Sequence, residues 1–258
     1  MLKAALLGGD IGYTRSPLIH KKIAEALGVE ISFSVADVAD DGFEKAVKRL
    51  LSECDGFFIT KPYKNAVKKY LSSVDTKCGV NLVSCRDAHG YNTDGSGFIR
   101  ALDRAVDDWR DNVNSVLVLG AGGAAYSVTE ALIAAGKKVY NLNRTVLNSA
   151  RLCNLLGAEM YLNQPTEMIV NCTSLGLHGE DSLYGLCVIP SFSYAYDLIY
   201  SPPKTPCLTR CGEAGARVAN GRDMLIFQAI HGDGILLKEQ LDDIEVFEKV
   251  NKLLGDEF

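Results

Sequence analysis

No C-x-x-C pair occurs among the eight cysteines of this 258-residue chain, so a disulfide framework or a thiolate metal site has no support. Only Cys207 and Cys211 lie close together, and no matching Cys or His pair accompanies them; both are read as reduced packing residues, and no metal is expected. No stretch approaches the roughly 18 uninterrupted apolar residues of a membrane span, nor does a charged segment lead into an apolar one at the N-terminus. A cytoplasmic location is the expectation. An extended basic run is missing as well. With a net charge of -5, neither nucleic acid nor an anionic membrane is an expected partner, although a local basic patch can still hold a phosphate. Fixed-period repeats and low-complexity tracts are absent too. What remains is a globular composition, 47% hydrophobic and 23% charged, on a chain long enough for two domains.

Apolar runs and helical patterns alternate from the start. Strands are expected at Lys3–Gly8, Ile31–Val35 and Gly56–Thr60, and helices at Ser16–Leu27 and Gly42–Ser52, which implies a mostly parallel sheet. After Asn92-Thr93-Asp94, a helix with Phe98, Ala101, Leu102 and Ala105 on its apolar face leads into the polar segment Asp107–Asn114. That helix and linker mark the domain boundary. The βα rhythm resumes with the strand Ser115–Leu119, a helix from Ala124 to Ala135, and strands at Val139–Leu142, Met168–Cys172 and Tyr194–Leu198, the pattern of a doubly wound sheet. No strand follows the helices Met224–Leu237 and Ile244–Leu254. Their return to the first domain would make it discontinuous: residues 1–97 with 222–258 in one α/β domain, and residues 98–221 in a Rossmann domain.

Ser115-Val-Leu-Val-Leu-Gly120-Ala121-Gly122-Gly123-Ala124-Ala125 places a buried strand directly before a glycine turn and a helix, the context a dinucleotide fingerprint requires. Gly120 permits the tight turn, Gly122 lets backbone approach a pyrophosphate, and Ala125 stands where the helix packs on the strand. At the end of the second strand, where an acidic residue would accept from a ribose 2'-hydroxyl, the chain has Asn143-Arg144-Thr145. A guanidinium and a hydroxyl suit a 2'-phosphate, so NADP is expected over NAD. The alternative is that Arg144 is a solvated loop charge, and Asn148 supplies no second cation.

A nicotinamide enzyme must also move a proton. Lys61 and Lys64, in Thr60-Lys61-Pro62-Tyr63-Lys64, follow a strand's carboxyl end, where ligands bind in open α/β sheets; either is a surface charge or a general acid and base. Asp94 reads as a helix N-cap, or as the acceptor that orients a lysine and a substrate hydroxyl. Ser16 before Pro17 reads as a cap, and with Thr14 it also offers hydroxyls to an anion.

These segments, in this order, resemble the shikimate dehydrogenase family along nearly the whole chain. The residues that carry the resemblance are Ser16-Pro17 with Leu18-Ile19-His20, Thr60-x-Pro62-Tyr63-Lys64, Gly79-Val80-Asn81, Asn92-Thr93-Asp94-Gly95, and Gly120 to Ala124. In the second half they are Asn143-Arg144-Thr145, Asn171-Cys172-Thr173-Ser174, Tyr196-Asp197 through Tyr200, Lys204-Thr205-Pro206, and Gly221 with Met224-Leu225 and Gln228. The resemblance implies reversible reduction of 3-dehydroshikimate to shikimate by NADPH in aromatic biosynthesis, in a cleft between a discontinuous substrate domain and a Rossmann domain. It implies Lys64 as catalytic residue with Asp94 as its carboxylate partner, and Thr14 and Ser16 as the hydroxyls for the substrate carboxylate. Thr60, Asn81, Tyr200 and Gln228 fall at the remaining substrate positions. Gly120, Ala121, Gly122, Gly123, Ala124, Asn143, Arg144, Thr145, Leu198 and Gly221 fall at cofactor positions, Leu198 and Gly221 near the nicotinamide. The assembly is expected to be a monomer or a homodimer.

The chain departs from the family's pattern at Phe58, Lys61, Leu82 and Thr14. Such changes can reshape discrimination between shikimate and quinate, because buried polar partners govern that choice. The rival readings are therefore a quinate-oxidising paralogue, with NAD in place of NADP, and a non-catalytic ligand sensor on the same fold. Intact Lys64 and Asp94 argue against the sensor.

Overall fold

The structure is a computed structural model that describes residues 1–12, 14–183 and 192–255. The chain falls into two compact units, Met1–Thr93 with Ile226–Phe258, and Asp94–Leu225.

The first unit is built on β1 (Leu2–Gly8), β2 (Ile31–Asp37), β3 (Gly56–Ile59), β4 (Ser73–Val74), β5 (Leu82–Ser84) and β6 (His89–Tyr91), in the order β2-β1-β3-β5-β6-β4. β1 pairs parallel with β2 and β3, and β5 turns the sheet antiparallel against β3 and β6. Alternation along β1 serves two cores. Ala5 and Leu7 meet Val47, Leu50, Phe57 and Ile59, while Ala4 and Leu6 meet Ile11, Phe58, Leu82 and Leu236. Burial on both faces is why β1 and β3 read as unbroken apolar runs. The helices are α1 (Ser16–Leu27), α2 (Asp40–Glu53), most of α8 (Arg222–Leu237) and α9 (Asp243–Leu254), with α1 packed on α9 and Phe227 of α8 stacked on Phe247 of α9 at 4.4 Å. The hairpin strands β5 and β6 were not expected from the sequence, since three residues are too few for a period to show.

The second unit contains α3 (Asp94–Ala105), α4 (Trp109–Asn112), β7 (Ser115–Leu119), α5 (Gly123–Ala134), β8 (Lys138–Leu142), α6 (Val146–Leu156), β9 (Glu159–Met160), β10 (Met168–Asn171), β11 (Tyr194–Asp197), α7 (Pro206–Glu213) and β12 (Arg217–Asn220). Its strands are all parallel in the order β12-β11-β10-β7-β8-β9. This is the doubly wound Rossmann order, with the switch point between β7 and β10. The segment Asp107–Asn114, expected to be a polar linker, instead holds α4. Trp109 is fully buried there and donates its indole N–H to Asp103 at 2.8 Å, while Arg110 bonds the same carboxylate at 2.8 Å. One large anchored side chain outweighs the polar composition around it.

Candidate active site

In the second unit the glycine turn stands at the switch point. Gly120 has φ +100°, and a Cβ there would sit 3.0 Å from Thr173 Cγ2 and 3.2 Å from the Cys172 carbonyl, so only glycine fits the turn. Gly122 is exposed, with open space where its Cβ would be, and it precedes α5 with no side chain capping the helix. The amides of the first turn of α5 are thus available to a phosphate, which is the fit a dinucleotide needs. Ala125 is fully buried, as a residue packing helix against strand must be.

Neighbouring strands brace the turn. Asn141 of β8 donates through Nδ2 to the carbonyls of Gly120 at 2.7 Å and Val118 at 3.1 Å, and Ser149 Oγ donates to its Oδ1 at 2.6 Å. On the β10 side, Asn171 Nδ2 donates to both oxygens of Asp197 at 3.1 Å, and its Oδ1 accepts from the Thr173 hydroxyl at 2.7 Å. Thr205 Oγ1 donates to Asp197 at 2.6 Å and caps α7. Burial pushes the Asp197 carboxyl above the usual aspartate range, and the hydrogen bonds from Thr205, Ile199 and Asn171 oppose that shift. The network explains why buried Asn141, Asn171 and Asp197 are tolerated in central strands.

Asn143 donates to the Thr145 carbonyl at 3.0 Å, and Arg144 is exposed beyond the end of β8. Leu198 and Gly221 meet directly, since a Cβ on Gly221 would collide with the Leu198 carbonyl; the Gly221 amide donates to Ile199 at 3.4 Å. Tyr200 is half-buried two residues after Leu198. Asp94 is the first residue of α3 and is buried.

In the first unit, the turn after β3 carries Thr60, Lys61 and Lys64. Tyr63 anchors it, buried and stacked on Phe43 at 4.3 Å, with its hydroxyl donating to the Val38 carbonyl at 2.8 Å. The Lys64 carbonyl accepts from the Val80 amide at 2.8 Å, and a Cβ on Gly79 would lie 2.8 Å from Lys64 Cβ. Lys64 is half-buried whereas Lys61 is exposed. Asn81, 3% exposed, donates to Thr93 Oγ1 at 2.9 Å and to Gln228 Oε1 at 3.4 Å, and its Oδ1 accepts from the Thr93 amide at 2.8 Å. Thr93 Oγ1 donates in turn to the Gln228 carbonyl at 2.9 Å.

The expected cap at Ser16 is corrected. Arg15 is the residue that starts α1, its carbonyl accepting from Ile19 at 3.1 Å, and no side chain caps the helix. Ser16 lies inside the first turn with Pro17. Its amide donates to Thr14 Oγ1 at 3.3 Å and its Oγ accepts from that hydroxyl at 3.2 Å, so the two hydroxyls face each other. Two departures from the family's pattern also find their places. Phe58 and Leu82 belong to the same buried core, and Phe58 packs on His20 at 4.1 Å between ring centroids. His20, also stacked on Phe33 at 4.5 Å, is held by Asp233 at 2.9 Å.

In the structure Asn81 lies beside Gln228, Thr14 beside Ser16 and Leu198 beside Gly221. Thr93, which links Asn81 to Gln228, and Asn141, the clamp on Gly120, had no role assigned to them from the sequence. The available signal for Asn141 was an amide in an otherwise apolar strand. Among the described residues no His, Cys, Asp and Glu cluster suits a metal, and no helix is long and apolar enough to cross a membrane.

A family model described as the shikimate dehydrogenase substrate binding domain matches residues 6–80. Among curated relatives, the shikimate dehydrogenase (NADP(+)) of Staphylococcus epidermidis is 31% identical, with 88% of this chain and 89% of that protein aligned. That of Caldanaerobacter subterraneus is 32% identical over 95% of each chain. Among solved structures, shikimate 5-dehydrogenase from Thermus thermophilus, in complex with NADP(H) and shikimate, superposes with a TM-score of 0.87 at 28% identity, covering 98% of this chain and 99% of that one.

Proposed function

The chain belongs to the shikimate dehydrogenase family, and from that premise we propose that it catalyses the reversible, NADP-dependent interconversion of 3-dehydroshikimate and shikimate in the cytoplasm. The observation that carries the reading is the likeness, along nearly the whole chain, to proteins named for that activity and cofactor. The glycine turn at the switch point of a Rossmann sheet supports it independently.

We assign the cofactor to the second unit and, Tyr200 apart, the substrate contacts to the first. In this reading Thr14 and Ser16 donate their hydroxyls to the substrate carboxylate, and Thr60, Asn81, Tyr200 and Gln228 hold the ring hydroxyls. Gly120 to Ala124 cradle the pyrophosphate, Arg144 with Asn143 and Thr145 takes the 2'-phosphate, and Leu198 and Gly221 border the nicotinamide. Bound NADPH supplies the hydride. Lys64 gives a proton to the carbonyl oxygen during reduction and takes it back during oxidation, and Asp94 orients the ammonium and the hydroxyl. The braced turn around Tyr63 and Val80 suits Lys64 to that task, because proton transfer requires a fixed donor within hydrogen-bond reach.

Incubation of the purified protein with NADPH deuterated at the transferable position and 3-dehydroshikimate tests the reading. Shikimate carrying deuterium on the reduced carbon is expected; unlabelled or absent product contradicts it.

A further inference from the structure

Two helices of the first unit carry residues assigned above to the substrate: α1 begins at Ser16, and α8 carries Gln228. Each also carries a buried ionisable side chain that the proton transfer does not use. His20 of α1 is 1% exposed and Asp233 of α8 is 2% exposed, and His20 Nδ1 donates to the two carboxylate oxygens at 2.9 and 3.0 Å. Among the described residues that carboxylate has no other hydrogen-bond partner. The imidazole is also packed by Phe33 of β2, stacked at 4.5 Å, and by Phe58 of β3, tilted at 4.1 Å. Gly232 lets α8 lie against this cluster, since a Cβ there would collide with the Phe58 ring. Four elements thus meet at one histidine.

A buried ion pair adds little net stability over apolar side chains of the same volume, and its best-attested use is to fix how elements sit on one another. His20 follows Ser16 by four residues, so the two lie on one face of α1 a turn apart, and helical side chains lean toward the N-terminus. No side chain caps α1, and His20 is the first polar side chain after Ser16. On α8, Asp233 stands five residues beyond Gln228, whose Oε1 accepts from Asn81 at 3.4 Å. We propose that His20 and Asp233 are positioning residues that set the hydroxyls of Thr14 and Ser16 against Gln228, so that one rigid frame meets both the carboxylate and the ring hydroxyls of the substrate. Those groups are fixed on a single ring, hence a helix shift of about 1 Å leaves one set of contacts unmade. The inference rests on the substrate reading above and draws on nothing in the cofactor site.

The test is calorimetric titration of the full chain with NADPH, and then with shikimate in the presence of NADPH, two reduced partners that cannot react with each other. The variant that decides replaces both members of the pair, His20→Phe with Asp233→Val, because it removes the tie without leaving a lone buried charge. Its melting temperature is expected to match or exceed that of the wild type. Shikimate is expected to bind it about tenfold or more weakly, while NADPH affinity changes by less than about twofold. Asp233→Asn, which keeps an acceptor for His20, is expected to stay within about threefold of the wild type. In a Ser16→Ala background the double substitution is expected to cost shikimate binding less than about threefold, because a group that the pair positions is gone. The proposal is overturned by wild-type shikimate affinity in the double variant, or by an equal loss with and without Ser16. A double variant that fails to fold also overturns it, since the pair is then a requirement of the fold alone. A wild type that binds no shikimate overturns the substrate reading and the positioning role together, whereas the other results leave that reading standing.

Discussion

Asn81 and Thr93 hold each other through two hydrogen bonds, the Thr93 amide donating to Asn81 Oδ1 at 2.8 Å and Asn81 Nδ2 donating to Thr93 Oγ1 at 2.9 Å. The second is lost in Thr93→Val, along with the bond from Thr93 to the Gln228 carbonyl, while the shape of the side chain is kept. A buried amide left unsatisfied costs about 1–3 kcal/mol, and a small displacement of positioning groups can cost about 100-fold in rate. Urea unfolding should show a loss in that range, and kcat/KM for shikimate should fall by about 10- to 100-fold. Wild-type kinetics in Thr93→Val would remove this network from substrate positioning.

Lys64→Ala removes the proposed proton donor and alters none of the residues assigned to the cofactor. Turnover should fall by about 100- to 10,000-fold while the NADPH dissociation constant, read by fluorescence titration, changes little. Unchanged turnover would take Lys64 out of the mechanism.

Gly120→Ala forces a side chain into positive φ beside Thr173 and the Cys172 carbonyl. The backbone alone costs about 1–2 kcal/mol. The variant should unfold at lower denaturant and bind NADPH at least about tenfold more weakly, since the turn must open to relieve the contact. Wild-type affinity would show that the turn is not the pyrophosphate cradle.

Asp197 gives a pH signature. Its folded carboxyl titrates above the unfolded value because burial penalises the charge. The native state therefore holds the proton more tightly than the unfolded state does, and this carboxyl's contribution to stability declines as pH rises from the unfolded pKa through the folded one. Denaturation of wild type and Asp197→Asn across that interval should show the wild type losing ground to the variant with rising pH. Parallel curves would mean that the hydrogen bonds from Thr205, Ile199 and Asn171 cancel the effect of burial.

Long, strongly periodic elements were legible in the chain: α1, β7, α5 and the two closing helices fall where apolar spacing put them. The glycine turn was legible too, because a strand before it and a helix after it made the motif specific. Short elements were not. β5 and β6 span three residues each, and α4 hides a buried Trp109 in a polar stretch, so neither carries a period. Ser16 misled because a serine before a proline looks like a cap, yet the cap position falls one residue earlier, at Arg15, and the Ser16 hydroxyl accepts from Thr14 instead. The bonds of Thr93 and Asn141 depend on partners far along the chain, Gln228 and Gly120, which local spacing does not reveal. Phe58 and Leu82, departures that raised the question of quinate, are core neighbours of each other, which leaves Thr14 and Lys61 as the departures outside the core.

That question is settled by initial rates, followed through nicotinamide absorbance, for shikimate and quinate each with NADP and with NAD. The expected result is the highest kcat/KM for shikimate with NADP, with NADP favoured over NAD by about tenfold or more through the Arg144 contact. A higher kcat/KM for quinate with NAD would contradict both the substrate and the cofactor assignments.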